Sequence, residues 1–121
     1  MPVKKILVVD DSPTERHVLE EFLVRHGYKV VAAESGEQGI AMAIEEKPDL
    51  ILMDVVMPGI NGYQATRTLT REEATRHIPV IMCTSKDQET DRIWGMRQGA
   101  QDYLVKPIDH NALLAKIAAL P

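Results

Sequence analysis

Five short apolar segments alternate with five segments of helical pattern along the whole chain. The apolar segments, each the length of one buried strand, lie near residues 4–9, 28–33, 49–54, 79–84 and 101–105. The helical patterns lie near residues 13–26, 36–46, 62–70, 88–98 and 110–119. Strict alternation is typical of βαβ units, because parallel neighbouring strands need a crossover connection. The sequence therefore predicts an α/β fold with a doubly wound, five-stranded parallel sheet.

Local signals indicate where the helices begin and end. The segments Ser12-Pro13-Thr14-Glu15 and Ser35-Gly36-Glu37-Gln38 both have the capping-box pattern. In such a box a serine and an acidic or amide side chain three residues later satisfy two backbone N–H groups. Gly27 and Gly99 follow the first and fourth helical patterns, as expected of residues just beyond a helix C-terminus. These signals support the division into ten elements.

Carboxylates lie at the carboxyl ends of two of the predicted strands. Asp10 and Asp11 follow the apolar run of residues 6–9, and Asp54 follows the apolar run of residues 50–53. A carboxylate beside buried apolar residues is costly unless it lies at the rim of the sheet, where water, a cation or a hydrogen-bond donor satisfies it. If the first and third strands are neighbours, the three carboxylates converge and repel one another unless a cation is present. Oxygen ligands of this kind suit Mg²⁺.

Two more polar residues end strands at the same rim. Thr84 closes the fourth predicted strand, and Lys106 follows the fifth. A carboxylate surrounded by a metal site, a hydroxyl and an ammonium is suited to receiving a phosphoryl group, because phosphoryl transfer requires positioning and charge neutralisation more than acid–base chemistry. These residues predict that one aspartate of this rim accepts a phosphoryl group.

Charge and composition exclude several classes of protein. With 14 Lys and Arg against 18 Asp and Glu, the net charge is −4, so no general basic field attracts nucleic acid. No apolar stretch is long enough for a signal peptide or a membrane span. The single cysteine, Cys83, lies in an apolar run, which favours a core role and a reducing compartment. We expect a cytoplasmic monomer without nucleic-acid or membrane partners, with one domain over residues 1–121 and no output domain.

The chain closely resembles the receiver domain of two-component response regulators. Four motifs carry the resemblance, in the order and spacing of that family: Asp10-Asp11, Asp54-Val55-Val56-Met57-Pro58-Gly59, Thr84-Ser85 and Lys106-Pro107. The resemblance implies a flavodoxin-like receiver fold with strand order 2-1-3-4-5. It also implies that a histidine kinase is the phosphodonor and that the Lys106-Pro107 peptide bond is cis.

The resemblance further implies a role for each site residue. Asp54 is the phosphoacceptor, assisted by Lys106 and Thr84. The Mg²⁺ ligands it implies are Asp11 and Asp54 directly, Asp10 mostly through water, and the main-chain carbonyl of Val56. The chain would then be a signalling domain and not an enzyme, since its only reactions are its own phosphorylation and dephosphorylation.

Two pairs of residues match positions that regulate receivers. Thr84 and Tyr103 match the switch pair: phosphorylated Asp54 would draw Thr84 inward and Tyr103 would follow, changing the surface of the fourth helix, fifth strand and fifth helix. Val56 and Lys86 match two positions that tune the lifetime of the phosphoryl group. An apolar side chain and a cation orient an attacking water poorly, so we expect slow to moderate autodephosphorylation.

Three segments carry a closer resemblance. Residues 61–67, 87–91 and 94–100 are similar to those of single-domain receivers in the chemotaxis-like system that controls type IV pili and twitching motility. That likeness implies a chemotaxis-type histidine kinase as phosphodonor. The phosphorylated form would either dock on a downstream protein or act as a phosphate sink, and both possibilities remain open at this point.

Other functions match parts of the sequence. A flavin carrier of this fold needs a hydroxyl- and glycine-rich phosphate loop after the first strand, where this chain has Asp10-Asp11-Ser12-Pro13. Metal-dependent aspartyl-phosphate phosphatases typically have Asp-x-Asp there, which is also not matched. A receiver-like interaction scaffold without phosphorylation is disfavoured because all five site residues are present. For Trp94, in the fourth helical pattern, we expect packing rather than a partner-facing position.

Overall fold

The computed structural model describes residues 2–120. Its strands and helices, in chain order, are β1 (Lys5–Val9), α1 (Pro13–Arg25), β2 (Lys29–Ala33), α2 (Gly36–Glu46), β3 (Leu50–Met53), α3 (Gly62–Arg71), β4 (Val80–Thr84), α4 (Glu89–Arg97), β5 (Asp102–Val105) and α5 (His110–Ala118). All ten predicted elements are confirmed, and no boundary differs from the prediction by more than one residue.

The five strands form one parallel sheet in the order β2-β1-β3-β4-β5, as predicted. Val9 at the end of β1 is paired with Met53 at the end of β3. Asp10 and Asp54 therefore follow neighbouring strands at the same edge of the sheet. Thr84 ends β4 and is paired with Val105 of β5, which brings Lys106 to that edge as well.

Both faces of the sheet are covered, which explains why the central strands β1, β3 and β4 are apolar without alternation. Leu23 of α1 and Leu113 and Ile117 of α5 pack with one set of strand side chains. Ala43 of α2 and Leu69 of α3 belong to the core cluster on the other face. Central strand residues such as those of β3 are inaccessible to solvent on both faces, so the rim of the sheet is where polar groups can be accommodated.

The predicted capping boxes at Ser12 and Ser35 form only in part. Each serine side chain does accept a hydrogen bond from the backbone three residues on, at Glu15 N and Gln38 N. The second half of each box is wrong: Ser12 N–H donates to Asp10 Oδ1 at 2.9 Å, and Gln38 Oε1 accepts from Glu34 N–H at 2.7 Å. At the first box the Asp10 carboxylate takes the Ser12 N–H, and at the second the Glu34 N–H takes the Gln38 side chain. The Glu15 carboxylate is therefore available for another contact.

Gly27 and Gly99 have φ of 93° and 103°, which confirms that α1 and α4 end at left-handed glycines. The expectation for Trp94 is wrong, because its side chain is 48% exposed on α4. α4 packs closely on Tyr103 at Gly95, where a Cβ atom would lie 3.0 Å from the Tyr103 ring.

None of the helices within residues 2–120 has the length and apolar character needed to cross a membrane.

Candidate functional site

One ammonium group lies among three carboxylates at the carboxyl edge of the sheet. Lys106 Nζ is 2.8 Å from Asp10 Oδ2, 2.9 Å from Glu15 Oε2 and 3.3 Å from Asp54 Oδ2. The side chains of Asp10 and Asp54 are each only 8% exposed, whereas Glu15 is half exposed. Charge-assisted contacts at low exposure are stronger than those on an open surface, so these side chains hold one another in place.

Backbone contacts fix the position of Asp54. Its N–H donates to Val9 O at 3.0 Å, and its Oδ1 accepts from Val55 N–H at 2.7 Å. Gly62, the first residue of α3, packs directly on the Asp54 carbonyl, which a Cβ atom at Gly62 would overlap. The Asp54 carboxylate is thus presented with Oδ2 toward Lys106.

Asp10 is fixed in a similar way. Its Oδ1 accepts from Ser12 N–H, and its main-chain carbonyl accepts from Arg16 Nη1 at 2.7 Å. Both partners belong to the start of α1, so the turn from β1 into α1 positions Asp10 and places Glu15 above the same crevice. The crevice is therefore built by β1, β3, the end of β5 and the first turn of α1.

Burial and charge shift the pKa values of two groups here. Burial raises the pKa of the Asp54 carboxyl; Lys106 opposes this shift and the neighbouring Asp10 adds to it. For Lys106, burial disfavours the charged form, but the hydrogen bonds to Asp10 and Glu15 together with the charges of Asp54 and Asp10 outweigh burial and raise the pKa. The crevice holds more carboxylates than cationic groups, and an added cation would relieve the repulsion that raises the pKa of Asp54.

Cys83 lies in the core, as the sequence predicted. It is 3% exposed, and burial raises the pKa of its thiol to about 12. A thiol with such a pKa is almost entirely protonated at neutral pH and is a poor nucleophile. Asp54 is therefore the better candidate for covalent chemistry at this edge of the sheet.

The remaining predicted site residues lie around this crevice. Thr84 is fully buried, and its carbonyl accepts from Lys106 N–H at 2.8 Å. Asp11 is exposed and is not a member of the carboxylate cluster. Val56 has a 55% exposed side chain, and Lys86 is exposed in the loop after β4. The Lys106-Pro107 peptide bond is cis, as the resemblance implied.

Sequence reasoning missed Glu15 as a site residue. Its spacing from Ser12 fits a capping box, and this is the role that the sequence predicts for it. A usable signal was present: the first turn of a helix that directly follows a strand lies at the same sheet edge as the residue that ends that strand. A carboxylate in that turn, five residues after Asp10, is therefore a candidate for the same crevice.

One residue of the β4–α4 loop joins the two predicted switch residues. Lys86 N–H donates to Thr84 Oγ1 at 3.3 Å, and Lys86 O accepts from the Tyr103 hydroxyl at 2.9 Å. Tyr103 is buried, with 6% of its surface exposed. The backbone N–H and carbonyl of Lys86 thus connect the Thr84 hydroxyl to the Tyr103 hydroxyl.

The crevice has the donor set of a divalent metal site. Carboxylate oxygens of Asp10, Glu15 and Asp54 lie within 4.8 Å of one another. Mg²⁺ prefers oxygen ligands and usually takes one or two carboxylates together with waters and phosphate oxygens. The residues present therefore fit Mg²⁺, the ion that the sequence predicted.

Comparisons with known proteins agree with this geometry. The chain is 58% identical to Protein PilH of Pseudomonas aeruginosa over 96% of both chains. A putative response regulator from Chloroflexus aurantiacus is 33% identical, with a TM-score of 0.90 over 99% of this chain and 100% of that one. The receiver domain of a sensor histidine kinase from Pseudomonas aeruginosa is 34% identical, with a TM-score of 0.87 over 95% and 94%, and its crystal structure has a magnesium ion coordinated in the active-site cleft.

The family assignment covers nearly the whole chain. The sequence model of the response regulator receiver domain matches residues 6–118, a range that includes the acidic crevice, β4 with Thr84, and Lys106. Sheet order, crevice and family match all agree. This chain belongs to the family of response regulator receiver domains.

Proposed function

We propose that this chain accepts a phosphoryl group on Asp54 from a chemotaxis-type histidine kinase and acts in the control of type IV pilus twitching motility. One observation carries the phosphoacceptor part: a carboxylate that is 8% exposed faces a lysine ammonium 3.3 Å away, beside Asp10, on a receiver fold. The pathway part is supported by the likeness to PilH and by the resemblance of residues 61–67, 87–91 and 94–100 to the twitching-motility receivers.

The reaction places a negative charge in an already acidic crevice. An Asp54 carboxylate oxygen attacks phosphorus, the bond from phosphorus to the donor's histidine nitrogen breaks, and the histidine takes up a proton. Lys106 neutralises charge on the transferred group, and the Thr84 hydroxyl supplies a hydrogen bond. Thr84 is the last residue of β4 and Lys106 directly follows β5, so hydrogen bonds of the sheet edge fix the backbone of both residues.

For Mg²⁺, the proposed ligands are Asp10, Asp11, Asp54 and the main-chain carbonyl of Val56. The buried pair Asp10 and Asp54 supports this set, and Glu15 adds a third carboxylate nearby. When bound, Mg²⁺ supplies positive charge to the phosphoryl oxygens and orients them. Asp11, exposed outside the carboxylate cluster, is proposed from the resemblance alone.

The switch is proposed to work through Thr84, Lys86 and Tyr103. Since Tyr103 is already buried with its hydroxyl on Lys86 O, phosphorylation would stabilise this arrangement and not create it. A phosphoryl group that binds the Thr84 hydroxyl would hold Thr84 inward and, through Lys86, favour the buried Tyr103. The surface of α4, β5 and α5 that goes with the buried Tyr103 would then be the form that a partner recognises.

The test is a time course of intact mass with a small-molecule phosphodonor, with and without Mg²⁺. We expect one phosphoryl adduct in Mg²⁺ and little or none after chelation, because without the cation the acidic crevice repels an anionic donor. Retained cooperative unfolding in the chelator is the control for fold integrity. An equal rate of adduct formation in chelator would contradict the proposed role of the metal, and no adduct even from a histidine kinase would contradict the proposed function.

The decay phase of the same experiment tests the tuning residues. Val56 is exposed and apolar, and Lys86 carries a cation, so neither side chain orients a water for attack on the phosphoryl group. We expect slow to moderate autodephosphorylation, and a half-life of seconds would contradict it. Replacing Lys86 by Glu, a side chain able to orient water, is expected to shorten the lifetime. A long lifetime favours docking on a target, whereas rapid loss after kinase-driven transfer favours a phosphate sink.

A further inference from the structure

We propose that Tyr63 is a positioning residue of the switch: its hydroxyl, paired with that of Tyr103, holds Tyr103 in its buried position and ties it to the first turn of α4. This inference rests on the proposed function, because it assigns Tyr63 to the same phosphorylation-dependent switch. Tyr63 is not among the residues that the sequence predicted for the site. Only its place beside Tyr103 in the folded chain connects it to the crevice.

The two tyrosine hydroxyls form a short chain of contacts. Tyr63, the second residue of α3, is 8% exposed, and its hydroxyl donates to Asp91 O at 3.0 Å. The Tyr103 hydroxyl donates to Lys86 O at 2.9 Å, and the two hydroxyl oxygens are 3.3 Å apart. Each hydroxyl has one proton, so donation to the two carbonyls and donation between the tyrosines compete for the same protons.

Both carbonyl acceptors lie in one segment. Lys86 belongs to the loop after β4, and Asp91 to the first turn of α4. The tyrosine pair thus anchors residues 86–91 at both ends to side chains from α3 and β5. Burial raises the pKa of Tyr103, and its hydrogen bond with Tyr63 raises it further, so the Tyr103 hydroxyl remains a proton donor at neutral pH.

The helix that follows is shaped to receive both rings. A Cβ atom on Gly95 would lie 3.0 Å from Tyr103 Cδ2 and 3.4 Å from Tyr63 Cε1. These two rings therefore contact the same glycine of α4 and share one packing surface. A movement of Tyr103 away from this position would remove packing from Tyr63 as well as the hydroxyl contact.

The coupling has a measurable consequence. If phosphorylation favours the buried Tyr103, any group that independently favours the same position strengthens binding of a phosphoryl mimic, because linkage is reciprocal. Loss of one hydroxyl hydrogen bond from the pair is expected to weaken binding of the mimic by about two- to tenfold. Trp94, the single tryptophan, precedes Gly95 and is half exposed, so its emission reports on α4 directly.

The experiment is a titration of the metal-loaded protein with beryllofluoride, followed by Trp94 emission, for wild type and the variants Tyr63→Phe, Tyr103→Phe and both together. We expect Tyr63→Phe to weaken binding by about two- to tenfold. The double variant should bind no more weakly than Tyr103→Phe alone, because Tyr63 acts through Tyr103. Tyr28→Phe is the matched control: it removes the remaining tyrosine hydroxyl, on the opposite face of the sheet, and should bind as wild type.

The outcomes separate the inference from the proposed function. If wild type and Tyr63→Phe bind beryllofluoride with the same affinity, the role proposed for Tyr63 is overturned and the phosphoacceptor proposal is left intact. If the double variant binds beryllofluoride more weakly than Tyr103→Phe by the full effect of Tyr63→Phe, the role of Tyr63 is also overturned, since Tyr63 would then act independently of Tyr103. Wild type that does not bind the mimic would overturn the proposed function and this inference with it. A merely structural role would lower thermal stability in Tyr63→Phe without changing affinity.

Discussion

The Asp54→Asn variant is expected to form no phosphoryl adduct under conditions in which the wild type is phosphorylated. Asparagine keeps the shape of the side chain and can still accept from Val55 N–H, but its amide is not a nucleophile at neutral pH. Intact mass after incubation with Mg²⁺ and a phosphodonor measures the loss. The effect is expected to be close to all-or-none, because Asp10, the other buried carboxylate in contact with Lys106, is assigned to metal binding in the proposed function.

Asp49→Asn is the matched control for this experiment. Asp49 precedes the other end of β3, where its Oδ2 accepts from Lys4 N–H and Lys5 N–H at 2.9 Å. The same chemical change at the opposite edge of the sheet should leave phosphorylation at the wild-type level. An adduct on Asp54→Asn at the wild-type level would contradict the assignment of the acceptor and would move it to another carboxylate of the crevice.

The pKa of Asp54 predicts that the Asp54→Asn variant stays folded. Since the folded-state pKa is raised above the unfolded value, the ionised carboxylate costs stability wherever the pH is above the folded pKa. A neutral asparagine side chain avoids that cost, so in chelator at neutral pH the variant should unfold at the same temperature as wild type or higher. The difference should shrink as the pH falls through the folded pKa, where wild-type Asp54 is protonated too.

The Gly62→Ala variant is expected to lose about 3 kcal/mol or more of unfolding free energy. A Cβ atom at Gly62 would overlap Asp54 O and lie 2.8 Å from both the Asp54 carbonyl carbon and Val55 Cα. These are backbone atoms of the loop that presents Asp54, and Gly62 N–H itself donates a hydrogen bond to Val55 O at 2.9 Å. Because the clash is with backbone atoms, no side-chain rotation relieves it, and either α3 or the acceptor loop must move.

Thermal unfolding measures this effect, with an expected fall in Tm of about 10 °C or more for a domain of this size. Gly36→Ala is the matched control, since Gly36 also begins a helix. Its Cβ atom would lie 2.7 Å from Cγ1 of the Ile60 side chain and no nearer than 3.2 Å to a backbone atom, Ile60 O, so most of the clash is with a side chain that can shift. We expect a loss nearer about 1 kcal/mol there. Equal effects of the two variants would contradict the importance of the backbone contact at Asp54.

Much of the fold could be predicted from the sequence because its signals are local. Apolar runs, helical periodicity and the glycines at 27 and 99 each depend on neighbouring residues, and all ten elements follow from them. The order of the strands did not follow from these signals. It came from the resemblance, because alternation predicts parallel strands and crossovers but does not say which strands are neighbours.

The site was predictable in part for the same reason. Asp10, Asp54, Thr84 and Lys106 each end or follow a strand, so one rule about strand ends brings them to the same edge of the sheet. The rule does not say which oxygen faces which nitrogen. Lys106 and Asp10 are 96 residues apart in the chain, so their ion pair depends on which strands are neighbours in the sheet and on the rotamers of the two side chains.

By itself the sequence determined the ten elements and the acidic edge of the sheet, because each is set by residue type and by position along a strand or helix. Only the tertiary structure decided that Glu15 turns to Lys106 instead of completing a helix cap, that Trp94 faces outward, and that Tyr63 meets Tyr103. In each case the position of the side chain depends on groups that are far apart in the chain. Their result depends on distances that exist only after the sheet has assembled and the helices have packed on it.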